Sequence, residues 1–317
     1  MKAIMYHYVR PDDTSLPHFR HLHVDDFERQ LDYFDQAEGF ISLDDLCQAF
    51  RSRRAPERGV VLTFDDGLKD HYRYVMPALL RRGLQAIFYV ATSPYETGRL
   101  LDVHRLHVMI GRHGGRTVFE SMREMISDDL LSHAHVEEFR NETYLRQHND
   151  DYTRHVKRTL NYYVDYAHRE AILDQLMACL VPDELELTSE FYLSEQELSE
   201  MQSAGMMIGS HSRSHPVFSK LSVEEQQREI SESFARLDRA VGKLGTRTFC
   251  YPYGGFHTFT TETERLLESE GVDFSFNVEP RDIGVEDLDR RQALPRFDCN
   301  AFPHGSCRQA LADAHDS

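Results

Sequence analysis

The run Val60-Val61-Leu62-Thr63-Phe64 is almost wholly apolar and leads straight into Asp65-Asp66-Gly67. A strand with one wet face alternates apolar and polar residues, whereas a continuous run suits a parallel strand covered on both faces. Parallel neighbours need crossover helices, so this one run points to a sheet wound with helices. The surrounding chain agrees. Residues 2–8 read as a buried strand, and Phe27, Leu31 and Phe34 set a helical stripe on 25–37. Ser42 with Asp45 opens a short helix to about Arg51. Residues 72–82 read as a helix closed by Gly83, and 85–91 as the next strand. After an interruption, the alternation resumes. A helix capped at Ser194 ends at Gly205, and 206–210 is a strand. A long helix capped at Ser222 runs to about Val241. Strands at 249–253 and 272–278 flank a helix over 261–270, and 294–299 is the last strand expected.

The interruption, Leu101 to Glu190, has no strand-like run and reads as a helical insertion. Its eight histidines, between His104 and His168, pair with no regular acidic partner and are expected to be solvated or packed. The polar tail from Gly305 is expected to fray. At 317 residues, the chain can bury a full core without disulfide or metal staples, as a single domain carrying that insertion. Its 36 Lys+Arg stand against 53 Asp+Glu, a net charge of −17, with no basic block to offset it. Such a surface repels nucleic acid and anionic membranes, so no nucleic-acid partner is expected. The five cysteines, Cys47, Cys179, Cys250, Cys299 and Cys307, show no CxxC spacing, so neither a disulfide framework nor a cysteine metal site is expected. The first residues turn polar too early for a signal-peptide core, and no run approaches the ~18 apolar residues of a membrane span. A cytoplasmic protein without an integral membrane segment is the expectation, its oligomeric state left open.

Three segments at expected strand ends carry chemistry. Asp65 and Asp66 are adjacent carboxylates that repel unless a cation or solvent balances them, although Asp-Gly is also a good turn. His211 and His215, in His211-Ser212-Arg213-Ser214-His215-Pro216, stand four apart, as two metal ligands on one helical turn would. Tyr251-Pro252-Tyr253-Gly254-Gly255 reads as a turn that can offer a backbone N–H to a developing oxyanion. Two histidines and one aspartate form a ligand set that leaves positions open for water and substrate.

Taken together and in this order, the three segments resemble the motifs of the polysaccharide deacetylase family, the NodB-homology group or carbohydrate esterase family four. The resemblance covers residues 1–100 and about 190–300. It implies a distorted (β/α) barrel that removes N-acetyl groups from amino sugars with one divalent ion. Zinc is the first choice, with cobalt, nickel or manganese open. The pattern assigns Asp66, His211 and His215 as ligands and Asp65 as general base. It makes Tyr253 the catalytic residue of its turn, with Tyr251, Tyr253 and Gly254 beside the substrate.

Two departures stand out. Where the third motif commonly has Arg, this chain has Cys250; Arg296 is the candidate for orienting Asp65, its plain alternative being a surface ion pair. The usual C-terminal acid-histidine segment is not evident. Instead, Tyr6-His7-Tyr8-Val9 is similar to the permuted branch acting on poly-N-acetylglucosamine, which points to His7 as the acid, with Asp298 as its expected charge partner. His18 and Arg20, after the first strand, are candidate substrate contacts for a phosphate or carboxylate on an intracellular precursor, nucleotide sugar or sialic-acid-like sugar. The insertion is expected either to select substrate or to form an oligomer interface. Competing readings are a deformylase, a silent carbohydrate-binding protein, and a glycosidase. The glycosidase fails because its two carboxylates must stand ~5–9 Å apart across a sugar, and neighbours at a strand end point to opposite sides.

Overall fold

The structure is a computed structural model and describes residues 1–52, 54, 58–127, 130–131, 143 and 149–310. The described chain divides into two compact units. The first comprises Met1–Pro11, His21–Gly98 and Ser189–Cys307.

This first unit is built on a curled sheet of seven parallel strands. In chain order these are β1 (Lys2–Tyr6), β4 (Val60–Phe64), β5 (Ile87–Val90), β6 (Met207–Ser210), β7 (Thr248–Cys250), β8 (Phe274–Phe276) and β9 (Phe297–Asp298), arranged in space as β8-β7-β6-β5-β4-β1-β9. β2 (Val9–Arg10) and β3 (Leu22–His23) form a separate parallel pair. A parallel bridge between Phe276 and Leu294 joins the far edge of the sheet to the segment that becomes β9, which itself pairs with β1. The sheet is thereby carried round on itself, giving the distorted (β/α) barrel that the motifs imply. Most strands are shorter than expected: 2–8 breaks after Tyr6, and 294–299 narrows to Phe297–Asp298.

Strand alternation separates two cores. Ala3, Val61, Ile87, Tyr89, Cys250, Phe274 and Phe276 share the concave side, where Tyr89 of β5 meets Phe276 of β8 across the curl. Their neighbours Ile4, Tyr6, Leu62, Phe64, Phe88 and Phe249 face the helices, packing with Leu31, Phe34, Phe234, Leu237 and Leu267. Those helices begin where local chemistry starts them. Ser194 and Ser222 make reciprocal capping boxes with Glu197 and Glu225 at the heads of Glu195–Ser203 and Val223–Val241. The expected helix over 72–82 opens instead with a π-helical turn, His71–Val75, before Met76–Arg81.

The second unit comprises Asp12–Arg20, Arg99–Thr188 and Arg308–Ser317. Its described helices include Asp102–Arg123, broken at Gly114 (φ 77°), Asp151–Arg158 and Tyr166–Leu180. Buried Arg105, on the first of these, ties it to the last and to Glu184: its guanidinium donates to both carboxylate oxygens of Glu184 (2.7 and 3.0 Å) and to Asp174 (3.0 Å). Of the insertion's histidines, His133, His135 and His148 lie outside the described residues, as does the tail beyond residue 310. The start of that tail is packed: Gly305 is buried so tightly under Cys299 that a Cβ would lie 1.8 Å from its carbonyl oxygen.

Candidate active site

The carboxyl ends of β1, β4, β6 and β7 bring most of the singled-out residues together in the first unit. Phe64 ends β4 in register with Tyr6, and the next amide, that of Asp65, donates to the Tyr6 carbonyl (2.9 Å). Asp66 then turns left-handed at φ 79°, followed by Gly67 at φ 67°. Gly67 is required twice over, since a Cβ there would also lie 2.9 Å from Val90 Cγ1. This reversal sends the two carboxylates to different partners.

Asp65 is buried and faces Arg296, also buried. The guanidinium makes two parallel bonds to the carboxylate, both 2.7 Å, and donates further to Thr63 Oγ1 (3.0 Å) and Cys250 Sγ (2.9 Å). The Cys250 thiol in turn lies 3.5 Å from Asp65 Oδ2, reached across the curl from β7. The surface ion pair considered for Arg296 is therefore excluded: its side chain is buried. Burial, the largest influence, pushes the Asp65 carboxyl up, but the Arg296 charge and hydrogen bonds together with the neighbouring His211 more than offset it and hold that carboxyl below the usual range. Arg296 is correspondingly held protonated against its own burial by Asp65.

Asp66 faces the two histidines. Its Oδ1 lies 3.4 Å from Nε2 of both His211 and His215, whose rings meet edge to face. His211 leaves β6 and spends Nδ1 on the Cys250 carbonyl (2.7 Å), which fixes the ring and turns Nε2 toward Asp66. The pair does not sit on a helical turn as its spacing suggested. Ser212 (φ 66°) and His215 (φ 60°) are left-handed, and the loop doubles back through bonds from Ser212 N to Ser210 Oγ (3.1 Å) and His215 N to Ser212 Oγ (3.0 Å).

These three atoms suit a divalent ion. Separations of 3.4 Å exceed a good charge-assisted hydrogen bond of ~2.7–2.9 Å, yet match the edge of a tetrahedron with bonds of about 2.1 Å. Among the described residues a second trio, Asp65, His211 and Cys250, also converges within 4.8 Å. Arg296, a permanent cation, already neutralises that one.

His7 stands just past β1, partly exposed, with Nε2 4.0 Å from Asp65 Oδ2. The expected partner Asp298 is occupied elsewhere, its Oδ1 accepting from the Asn300 backbone amide (2.9 Å) and side chain (2.5 Å); Asp65 takes its place. The His7 carbonyl is held by His71 Nε2 (2.9 Å), a buried ring between Phe64 and Phe88. Burial pushes the pKa of His71 down to about 4. Sequence reasoning missed His71, because only the π-helical turn brings it to the end of β1.

The turn after β7 divides. Tyr253, at φ 65°, sets its ring against His215 (centroids 4.8 Å). Tyr251 is a core residue, its ring stacked on Phe259 and its hydroxyl donating to the Gln292 carbonyl (2.6 Å), so its side chain is not presented to substrate. The Gly254 N–H closes the turn on the Tyr251 carbonyl (3.2 Å) and is no oxyanion donor. His18 and Arg20 belong to the second unit, where the His18 amide donates to Gly111 (2.8 Å).

The polysaccharide deacetylase family model matches residues 52–168 and 153–274, spanning the Asp65-Asp66 and His211–His215 segments. The chain belongs to the polysaccharide deacetylase family. YxkH of Bacillus subtilis strain 168, which carries a polysaccharide deacetylase description, is 29% identical over 115 residues. That stretch is 35% of this chain and 40% of YxkH, so the chain spans about two-fifths of that relative. The Streptococcus pyogenes deacetylase PplD, solved in complex with acetate, superposes with a TM-score of 0.58 at 16% identity, covering 94% of this chain and 91% of that one. IcaB of Ammonifex degensii gives 0.50 at 19%, covering 87% and 82%. The de-N-acetylase of Aggregatibacter actinomycetemcomitans gives 0.52 at 15%, covering 93% of each. At these identities the superpositions speak for the fold. Among the described residues no helix is long and apolar enough to cross a membrane.

Proposed function

We propose that this chain removes an N-acyl group, acetyl in the first instance, from an amino sugar, using one divalent ion held by Asp66, His211 and His215. Zinc is the first choice. The observation that carries this reading is the convergence of Asp66 Oδ1 and the two Nε2 atoms, with the Arg296-paired carboxylate of Asp65 as the next residue.

Bound there, the ion would acidify a water and polarise the acyl carbonyl, which is what lets a base as weak as Asp65 take the proton. Asp65 serves as that base because Arg296 occupies both its oxygens from one side and leaves it ionised and aimed. The backbone at Tyr253, strained and beside His215, is the candidate donor to the oxyanion of the tetrahedral intermediate. Expelling the amine requires a proton on its nitrogen, and His7, partly exposed and next to Asp65, is the group proposed to give it.

The test is acetate release by metal-loaded protein from free, nucleotide-linked and polymeric N-acetyl amino sugars, with N-formyl counterparts alongside. Turnover of the soluble activated sugars ahead of the polymer is expected, consistent with an intracellular precursor. His7→Ala should cripple amide hydrolysis yet largely spare an activated aryl ester, whose phenolate leaves unprotonated. Equal loss on both, in protein that still holds its metal, removes His7 from the role; no acyl release from any sugar removes the function.

A further inference from the structure

We propose that Glu229 is the positioning residue of the metal-binding loop, holding it in ligand geometry from the helix behind without touching the ion. The inference rests on the metal site of the proposed function and concerns how that site is organised.

The loop between His211 and His215 needs such a hold. It contains two left-handed residues with side chains, Ser212 and His215, a conformation that persists only where the surroundings impose it. Its backbone groups can be followed one by one. The Arg213 carbonyl accepts from the amides of Thr92 (3.0 Å) and Ser93 (2.7 Å) beyond β5. The His215 amide is taken by Ser212 Oγ (3.0 Å). The two amides midway between the ligands, those of Arg213 (2.9 Å) and Ser214 (2.7 Å), both donate to Oε2 of Glu229, and the Ser214 hydroxyl donates to Oε1 (2.6 Å). Glu229 lies on the helix Val223–Val241, which also reaches the base of the loop through Ser233 Oγ, 2.6 Å from Ser210 Oγ.

Three donors converge on one carboxylate, whose two oxygens accept without donating and whose charge strengthens each bond. Glutamine at this position keeps an oxygen for the two amides but loses the charge on these bonds, and its NH2 obliges the Ser214 hydroxyl to turn and accept. The consequence is preorganisation. With Glu229 present, the histidines are set before any ion arrives; without it, binding must also order the loop. Loss of groups that orient metal ligands typically weakens metal binding by ~10–100-fold. Glu232, three residues along, provides the control. It pairs with the Arg213 side chain (3.1 Å) while half exposed, so it meets the same loop residue without holding its backbone.

The experiment strips the full-length protein of metal and titrates Zn²⁺ alone against a chromophoric chelator, following the melting temperature of each apo form. Glu229→Ala should bind Zn²⁺ ~10–100-fold more weakly, with kcat recovered at saturating Zn²⁺ because Asp65 and His7 are untouched. Glu229→Gln should fall between Glu229→Ala and wild type, and carries the test if the alanine variant does not fold. Glu232→Ala should bind as wild type does. A folded Glu229→Ala or Glu229→Gln that holds Zn²⁺ as tightly as wild type overturns the proposal, even if its melting temperature has dropped. Wild type that binds no Zn²⁺ is a different failure and overturns the metal site itself.

Discussion

Each unit of this molecule buries an arginine against acidic side chains, and only one of the two arrangements looks like chemistry. In the helical unit, Arg105 bonds to Glu184 and Asp174, and the described residues there contain no left-handed non-glycine residue. In the barrel unit, Arg296 is bound as tightly to Asp65, but four of the five left-handed non-glycine residues described, Asp66, Ser212, His215 and Tyr253, stand in the same site. A buried ion pair by itself is weak evidence of function, since structural networks perturb charges as strongly as catalytic ones. What separates the two is strain. A fold holds side-chain residues in costly backbone conformations where their placement serves something else. At the barrel rim those residues include one carboxylate and one imidazole of the converging trio.

The sharpest way to break this contrast is at Asp65. Asp65→Asn keeps size and hydrogen bonding but cannot take a proton, so kcat should fall by ~10²–10⁴ with metal content unchanged. Loss of metal instead would make Asp65 a ligand and exchange the roles of the two carboxylates.

Arg296→Gln comes next, and should cost about 3–5 kcal/mol in chemical denaturation, because it leaves a buried carboxylate unpaired. Its pH dependence carries a definite sign. Asp65 is held below its unfolded value, so the pair's stabilisation is present above the unfolded carboxyl pKa of ~3.9 and is lost as pH falls through the lower folded value. Without Arg296, burial should raise that carboxyl and move the acid limb of kcat/KM to higher pH. An unmoved limb would make Arg296 merely structural, like Arg105.

His71 tests the rim through stability alone. Its folded pKa of about 4 lies below its unfolded value of ~6.5, so its contribution is complete above pH ~6.5 and is lost as pH falls toward 4, amounting to roughly 3 kcal/mol. In His71→Phe, which fits the aromatic sandwich, that slope should be absent from urea titrations across the same window.

The smallest effect belongs to the other region. Arg105→Met should lose about 1–3 kcal/mol, because Glu184 and Asp174 retain some solvent when their partner goes, and kcat per folded molecule should stay at wild type. A large fall in kcat would erase the contrast between the units.

Legibility in the sequence followed a physical divide. Val60–Phe64 was readable because burial on both faces demands a continuous apolar run, and the heads of Glu195–Ser203 and Val223–Val241 because capping uses local side chains. Asp66, His211 and His215 could be picked out as candidates because the proposed metal chemistry draws its ligands from a few residue types. The loop at 211–215 was not readable, since a serine at φ 66° has no local signature and is imposed by Ser210 and the chain around it. Asp298 and Tyr251 were misjudged because each spends its polar group elsewhere, Asp298 on Asn300 two residues on and Tyr251 on the Gln292 carbonyl 41 residues away. His71 depended on a π-helical turn that the amphipathic pattern of 72–82 concealed.

The most direct test of the account is the metal content of wild type and of His211→Ala, measured by plasma mass spectrometry after equilibration with zinc and gel filtration. His211 is chosen because its Nδ1 is committed to the Cys250 carbonyl, leaving Nε2 with one purpose. The account predicts one ion per chain in wild type and none retained by the variant, with far-UV circular dichroism unchanged between them. Stoichiometric zinc in His211→Ala, or none in wild type, would contradict it.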